Sequence, residues 1–185
     1  MISPKSFLVV VALVASLSNG RSDEPKFATG ENIKLQVTST AFLEGQAVPQ
    51  KYTCLANNIS PPLAWTPPPS GTKSIALICE DVDAPGGTFT HWMMYEMPPA
   101  EIVLAENIAK VETLDDGRKQ GKNSFGKTGY SGPCPPQGKP HRYYFKVYAL
   151  DIQLDLPGGA AKKDLVAAMD KHVIAEGQLM GTFGR

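Results

Sequence analysis

The segment from Tyr143 to Leu150 constrains the fold most, because it carries the strongest strand signal in the chain. It is rich in aromatic and other apolar residues, which favour β-strands. Side chains alternate between the two faces of a strand, so one face here carries His141, Tyr143, Phe145, Val147 and Ala149. We therefore expect His141 to point toward the core at the end of this strand.

Two further apolar runs predict strands. Ser74–Glu80 is almost entirely apolar, as expected of a central strand covered on both faces, and Met93–Met97 is a similar run. Leu35 and Val37 alternate with polar neighbours, which is typical of a half-buried strand. The 185 residues include 17 glycines and 16 prolines, nearly a fifth of the chain against a usual share of about 12%. This excess indicates many turns and few long helices.

One helix and one long loop follow from the remaining patterns. Between Ala160 and Ala175, helical spacing of Leu165, Met169 and His172 predicts an amphipathic helix, with His172 packed rather than acting as a ligand. Lys119–Gly138 has almost no periodicity, and a loop of that length in a compact domain is usually functional or poorly ordered. No internal repeat or second domain boundary is visible, so residues 21–185 are predicted to form a single domain.

Residues 1–20 have the pattern of a secretory signal peptide. Lys5 provides a basic start, Phe7–Leu17 is almost wholly apolar, and Ser18-Asn19-Gly20 offers small residues before a cleavage point. The apolar run is shorter than the roughly 20 residues that a membrane anchor needs. We therefore predict an exported protein, periplasmic or secreted, whose mature chain begins near Arg21 and has no transmembrane segment.

The cysteines suit an oxidising compartment. Cys79 shares the inward parity of Ile75 and Leu77, so it is expected to be a buried, inert thiol. Cys54 and Cys134 lie in loop segments and are free to meet, although sequence does not show that they do. We predict a disulfide between Cys54 and Cys134.

The charge balance restricts the class of partner. Lys and Arg number 18, as do Asp and Glu, which leaves no net positive field to attract nucleic acid or an anionic membrane. No nucleic-acid partner is therefore expected.

Two aspartates at the end of the strand predicted at Ser74–Glu80 are candidates for a site. Asp81 and Asp83 are two residues apart, so their carboxylates tend to lie on one side and repel each other unless cations compensate. His91 and His141 are the candidate compensators. The alternative is that the aspartates only close a turn before Pro85.

The run from Gly129 to Pro136 is the third part of the candidate site. Gly129 and Gly132 allow backbone conformations that aim N–H groups at an anion, and Pro133 and its neighbouring prolines stiffen the loop. The alternative is a rigid surface loop without a ligand.

These motifs together resemble the phosphatidylethanolamine-binding protein family, and more narrowly its bacterial Raf kinase inhibitor-like branch. The resemblance covers about residues 33–185. It rests on four motifs in the same order, which are Asp81-Val82-Asp83-Ala84-Pro85, Gly87 through His91-Trp92, Gly129-Tyr130-Ser131-Gly132-Pro133-Cys134-Pro135-Pro136 and His141-Arg142-Tyr143. The segments Tyr52-Thr53-Cys54, Ile59-Ser60-Pro61-Pro62 and Gly181-Thr182-Phe183-Gly184-Arg185 also agree.

The resemblance implies a mainly β fold, an antiparallel β-sheet sandwich with a few short peripheral helices, around a small anion-binding cavity. The family's pocket positions carry over onto Asp81, Asp83, Pro85, His91, Gly132, Pro133, His141 and Tyr143. Val82 stands where proline is usual, which relaxes the turn without removing either acid. The chain ends soon after Leu179, so we expect the extra C-terminal helix of the animal relatives to be absent. The resemblance alone is therefore insufficient to assign the eukaryotic partner-binding activities to this chain.

The function that follows is an exported, non-catalytic binding protein that holds a small phosphate-bearing ligand, such as a phospholipid head group, without a cofactor. A regulatory or inhibitory role goes with the family. One alternative is a metal-dependent hydrolase that uses the Asp/His cluster, although no His-Glu-Xaa-Xaa-His or paired-cysteine metal motif is present. Another is an inhibitor of a protein partner such as a protease or kinase. The sequence leaves a protein partner and a homodimer open.

Overall fold

The computed structural model describes residues 33–185, so the predicted signal peptide at residues 1–20 lies outside the described residues. Ten regular elements follow one another, namely β1 (Ile33–Lys34), β2 (Val37–Thr38), β3 (Leu63–Trp65), β4 (Ser74–Asp81), β5 (Phe89–Met97), β6 (Val103–Leu104), β7 (Lys119–Gln120), β8 (His141–Leu150), α1 (Lys162–Met169) and β9 (Val173–Phe183). A short 3-10 turn covers Gln50–Tyr52. None of the helices in this part of the chain is long and apolar enough to cross a bilayer.

The strands form two sheets. The larger has six strands in the order β1-β9-β8-β4-β5-β7, and the smaller has three in the order β2-β3-β6. All pairings are antiparallel except that of β1 with β9. The predicted mainly β, antiparallel fold is confirmed. Its helical content within residues 33–185 is one α-helix and the 3-10 turn.

Strand β4 lies at the centre of the molecule and is buried along its whole length. Leu77 and Cys79 face a core that includes Phe145 of β8 and Trp65 of the small sheet. The opposite face carries a second cluster, formed by Ala76, Ile78, Met93, Tyr95, Tyr148, Leu150, Leu165 and Met169. The prediction of a central strand covered on both faces is confirmed, and the alternation of β8 is as expected. Full burial of each large apolar side chain contributes about 1.5–3 kcal/mol.

The predicted helix is too long. Helix α1 ends at Met169, Asp170 is its C-cap, and Lys171 has a left-handed φ of 65°, so the chain leaves the helix there. His172 follows the helix and places Nδ1 2.8 Å from Asp151 Oδ1, with 40% of its side chain exposed. It is therefore a surface residue, and its predicted place in the core is wrong. Three residues at helical spacing were insufficient evidence for a helix that continues beyond Met169.

Strand β9 was not predicted, although it pairs with β8 from end to end. Polar residues and two glycines interrupt its apolar pattern. The glycines are required for close packing of neighbouring segments. A Cβ at Gly177 would lie 2.0 Å from the carbonyl oxygen of Leu35, and one at Gly181 would lie 2.6 Å from Val48 Cγ2.

Candidate ligand-binding site

The ends of β4, β5 and β8 bring Asp81, His91, His141 and Tyr143 to one end of the large sheet. Asp81 is paired with Tyr143 of β8 and with Phe89 of β5. His141 Nδ1 donates to Asp81 Oδ2 over 2.7 Å, and both side chains are largely buried. The carboxylate therefore fixes the orientation of this imidazole, and it fixes Nδ1 as the protonated ring nitrogen.

A β-bulge turns His91 toward the same place. Cys79 pairs with Trp92, whereas the next residue, Glu80, pairs with Thr90, so His91 is the extra residue in β5. Bulges re-aim side chains in this way. The His91 ring stands edge-on to the Tyr143 ring, with 5.2 Å between their centroids.

His91 is anchored by a backbone group. Its Nδ1 donates to the carbonyl oxygen of Ser131 over 2.6 Å, and only 3% of the residue is exposed. Burial lowers the pKa of His91, although the Ser131 carbonyl and the Asp81 carboxylate act in the opposite direction. With Nδ1 protonated, the neutral ring carries its lone pair on Nε2. His91 therefore differs from His141. Both histidines were expected to compensate the aspartates, but only His141 bonds an aspartate directly.

The Tyr143 hydroxyl is a buried polar group whose contacts with the Asp81 carboxylate and the Cys134 backbone lack hydrogen-bond geometry. Burial raises the pKa of Tyr143 well above its usual range, and the nearby Asp81 carboxylate raises it further. Nevertheless, Oη makes no well-formed hydrogen bond to any residue of the described chain. An unsatisfied buried hydroxyl costs about 1–3 kcal/mol, so the site contains a donor that a bound acceptor would satisfy.

Asp83 has a different partner from the one predicted. Both of its carboxylate oxygens bind the Arg142 guanidinium, at 2.7 and 2.9 Å, and Oδ2 also accepts the Arg142 backbone N–H. This pairing lowers the pKa of Asp83. Its own backbone N–H donates to Asp81 Oδ1 over 2.9 Å. Asp81 thus closes a turn, as the alternative interpretation of the sequence proposed, and it also accepts the hydrogen bond from His141.

The glycine-proline loop packs against the segment around Tyr52. A disulfide joins Cys54 to Cys134, as the sequence predicts, with Cα atoms 5.4 Å apart. The Gly132 N–H donates to Asn58 Oδ1 over 2.7 Å. A Cβ at Gly132 would lie 2.1 Å from the Tyr52 carbonyl oxygen. Gly132 therefore serves close packing, and its N–H is not the anion donor that we expected.

The remaining predicted residues lie around this cluster. The Pro133 carbonyl accepts the Cys54 N–H, at 3.1 Å, so Pro133 belongs to the same packed loop. Pro85 is exposed in the turn that joins β4 to β5. Cys79 is a free and buried cysteine, and burial raises the pKa of its thiol.

Two aromatic residues at the site were missed. The Phe89 and Phe125 rings pack edge to face, with 4.7 Å between their centroids. The Phe125 and His91 rings also pack edge to face, with 5.6 Å between their centroids. Phe125 lies in the predicted loop Lys119–Gly138, which was recognised only by its lack of periodicity. A single phenylalanine in such a loop carries no signal of its own.

The cluster is small and nearly closed, since His91 and Asp81 are each only 3% exposed. A wider cleft of about 420 Å³ lies elsewhere and shares none of the predicted residues, being lined by Lys34, Leu35, Lys146, Tyr148, Glu176, Gly177 and Gln178. Within residues 33–185, no three His, Cys, Asp or Glu side chains are placed to hold a metal ion.

The sequence matches a known family along most of its length. Residues 38–184 match the family model described as phosphatidylethanolamine-binding protein. A UPF0098 protein of Methanothermobacter thermautotrophicus is 46% identical over 151 residues, which is 82% of this chain and 99% of that one. A UPF0098 protein of Aquifex aeolicus is 45% identical over 161 residues, covering 86% and 93%.

Solved structures agree with the sequence matches. A phosphatidylethanolamine-binding protein homologue from Chlamydia trachomatis superimposes with a TM-score of 0.75 at 41% identity. YbcL of E. coli, described as a member of the mammalian family, gives the same TM-score at 31% identity. Each comparison covers 82% of this chain and 98% of the other.

Proposed function

This chain belongs to the phosphatidylethanolamine-binding protein family, whose fold binds anionic ligands in general, and we propose that it is a non-catalytic binding protein for a small phosphate-bearing ligand. The ligand's phosphate group lies against His91, His141 and Tyr143. Phospholipid head groups and free phosphate esters share this chemistry.

The buried Tyr143 hydroxyl carries the proposal. Its contacts with the Asp81 carboxylate and the Cys134 backbone lack hydrogen-bond geometry, and a phosphate oxygen is a strong acceptor that would satisfy it. His141 adds a second donor when both of its ring nitrogens are protonated, because Nδ1 is already engaged by Asp81 and leaves Nε2 for the ligand. The Asp81 carboxylate can also receive the ammonium group of a zwitterionic ligand.

Calorimetry with inorganic phosphate and with phosphoethanolamine tests the proposal. A hydrogen bond to a charged group contributes about 1.5–3 kcal/mol, so His141→Ala should weaken binding roughly ten- to a hundredfold. His172→Ala is the matched control, because that histidine pairs with Asp151 at the surface and should leave the affinity unchanged. Equal affinities for the wild type and His141→Ala would contradict the proposal.

Export is part of the same proposal and has its own test. The basic, apolar and small-residue order of residues 1–20 supports removal of a leader during secretion. Protein isolated from its native host should have an intact mass that corresponds to a chain beginning near Arg21. A mass that still includes Met1 would show that the leader is retained.

A further inference from the structure

The cleft of about 420 Å³ lies where β1, β9 and β8 adjoin, away from the candidate site. Its volume falls within the usual range of small-molecule sites, about 300–1,000 Å³. The strand register places Lys34, Glu176 and Tyr148 in one row across the three strands, and Lys146 beside Gln178 in the next row. Cross-strand partners and residues two apart share a face of the sheet. The polar side chains of this cleft are therefore presented together by paired strands.

The outer edge of β9 has a gap in its hydrogen bonding at this cleft. On one side of the gap the Glu176 carbonyl accepts the Leu35 N–H over 2.7 Å, and on the other the Met180 carbonyl accepts the Gly45 N–H over 2.8 Å. Alternate residues of an antiparallel strand direct their backbone groups to the same edge, so those of Gln178 point outward between these contacts. Strand β1 pairs no further than Glu176, and no backbone group of the described chain bonds Gln178 on this side.

The cleft also carries an excess of positive charge. Lys146 is largely buried, and its Nζ lies 3.4 Å from Glu80 Oε2. The other Glu80 carboxylate oxygen contacts Lys162 Nζ, so two ammonium groups share one buried carboxylate. Lys34 is exposed at the edge of the cleft, where Glu176 is its cross-strand neighbour. These three lysines against two glutamates leave one positive charge that a bound anion would neutralise.

We propose that this cleft is a second ligand site, which binds N-acyl amino acids through their carboxylate and amide groups. The amide N–H of the ligand donates to the Gln178 carbonyl, and one carboxylate oxygen accepts the Gln178 N–H, as in an antiparallel pair. Lys34 and Lys146 lie against the carboxylate. The C-terminal end of a peptide presents the same groups.

The size of the gap favours the end of a chain over an added strand. Glu176 and Met180 are four residues apart, so the flanking contacts leave roughly 13 Å of open edge. None of the residues invoked here belongs to the phosphate site. The two proposals therefore stand or fall separately.

Titration of the full chain followed by NMR, with N-acetylalanine and the neutral N-acetylalaninamide as matched probes, tests this site. N-acetylalanine should shift the Gln178 amide signal and bind roughly tenfold more tightly than the amide, because only the carboxylate forms charge-assisted hydrogen bonds. Lys34→Gln should weaken its binding by about two- to fivefold, as expected for an exposed ion pair. Lys34→Arg should restore most of the affinity. Lys73→Gln is the matched control, since it removes an exposed lysine outside the cleft.

Equal affinities for the two probes would overturn the proposal, as would equal effects of Lys34→Gln and Lys73→Gln. His141→Ala should leave the binding of N-acetylalanine unchanged. A loss of affinity in that variant would show that the probe occupies the phosphate site, and would also overturn the second site. N-acetyl-trialanine separates the two sources of the ligand. If it binds at least as tightly as N-acetylalanine, the site takes the end of a peptide, and if it binds more weakly, the site takes a free acyl amino acid.

Discussion

Burial and hydrogen bonding give the two histidines at the site different chemistry. His141 donates to a carboxylate, whereas His91 donates to a backbone carbonyl and is almost inaccessible to water. Burial therefore lowers the pKa of His91. A bound anion favours its charged form and so raises that pKa in the complex. Anion binding is therefore accompanied by uptake of a proton at any pH between the pKa of His91 in the free protein and its pKa in the complex.

This coupling predicts how affinity depends on pH. Affinity should rise as the pH falls through the pKa of His91 in the complex, and level off below its lowered pKa in the free protein. Sulfate is the suitable probe, because its own charge is constant from about pH 5.5 to 8, around the reference histidine value of about 6.5. Calorimetry in buffers of different ionisation enthalpy counts the protons taken up. His91→Gln should reduce that uptake below the value of the wild type, and a wild type without uptake would contradict the coupling.

Gly132 allows the two loops beside the site to touch. Gly132→Ala places a methyl group 2.1 Å from the Tyr52 carbonyl oxygen and 2.9 Å from Thr53 Cα. Overpacking of this kind costs about 1–3 kcal/mol, so urea denaturation should give a lower free energy of unfolding. Gly86→Ala is the control, because nothing lies within 4 Å of a Cβ there. Similar losses in the two variants would show that the close approach is not the cause.

Individual residues of the site were predictable only as a set. Asp81, His91, His141 and Tyr143 do converge, because strand ends and parity are visible in sequence. The partners of His91 and Gly132 were not visible, because Ser131 and Asn58 lie in segments distant from them in the chain. For example, Asn58 Oδ1 accepts a hydrogen bond from the Gly132 N–H, and the two residues are 74 positions apart in the chain.

At the scale of elements, strands β4, β5 and β8 were predictable because burial leaves apolar runs or strict alternation in the sequence. Strand β9 was not predictable from the sequence. Its two glycines are required by close contact with Leu35 and Val48, and they interrupt the apolar pattern of the strand. The C-terminal end of α1 was also mispredicted. Lys171 adopts a left-handed conformation there without the glycine that usually signals it.

The disulfide connects two loop elements that no strand pairing joins. Its cysteines are 80 residues apart in the chain. A disulfide across so long a loop reduces the conformational entropy of the unfolded chain and typically raises the free energy of unfolding by about 2–4 kcal/mol. The double variant Cys54→Ser with Cys134→Ser should lose that much free energy of unfolding. Cys79→Ala is a control that removes the third cysteine and leaves the disulfide intact, although it costs some core packing.

Thiol counting gives an independent check. In denaturant without reductant, the oxidised wild-type protein should show one reactive thiol, which is Cys79. Three reactive thiols would show that Cys54 and Cys134 are unpaired. One reactive thiol in the wild type together with unchanged stability in the double variant would show that the disulfide forms but does not stabilise the fold.

For the whole molecule, the site carries a stability cost that ligand binding can offset. Tyr143 belongs to the inner core, yet its hydroxyl is unsatisfied there. Tyr143→Phe should therefore stabilise the ligand-free protein by about 1 kcal/mol or more, raising its melting temperature by roughly 2–4 °C per kcal/mol. The same variant should bind phosphate more weakly, so saturating phosphate should raise its melting temperature less than that of the wild type.

Tyr130→Phe is the control with the opposite expected sign. The Tyr130 hydroxyl is equally buried, but it donates to the Tyr52 carbonyl over 2.7 Å. Removing it leaves a buried carbonyl without its donor, so the ligand-free protein should become less stable. Calorimetric melting of both variants, with and without phosphate, separates the two roles. If Tyr143→Phe were as destabilising as Tyr130→Phe, the Tyr143 hydroxyl would already be satisfied within the fold, and it would not be the donor that awaits a ligand.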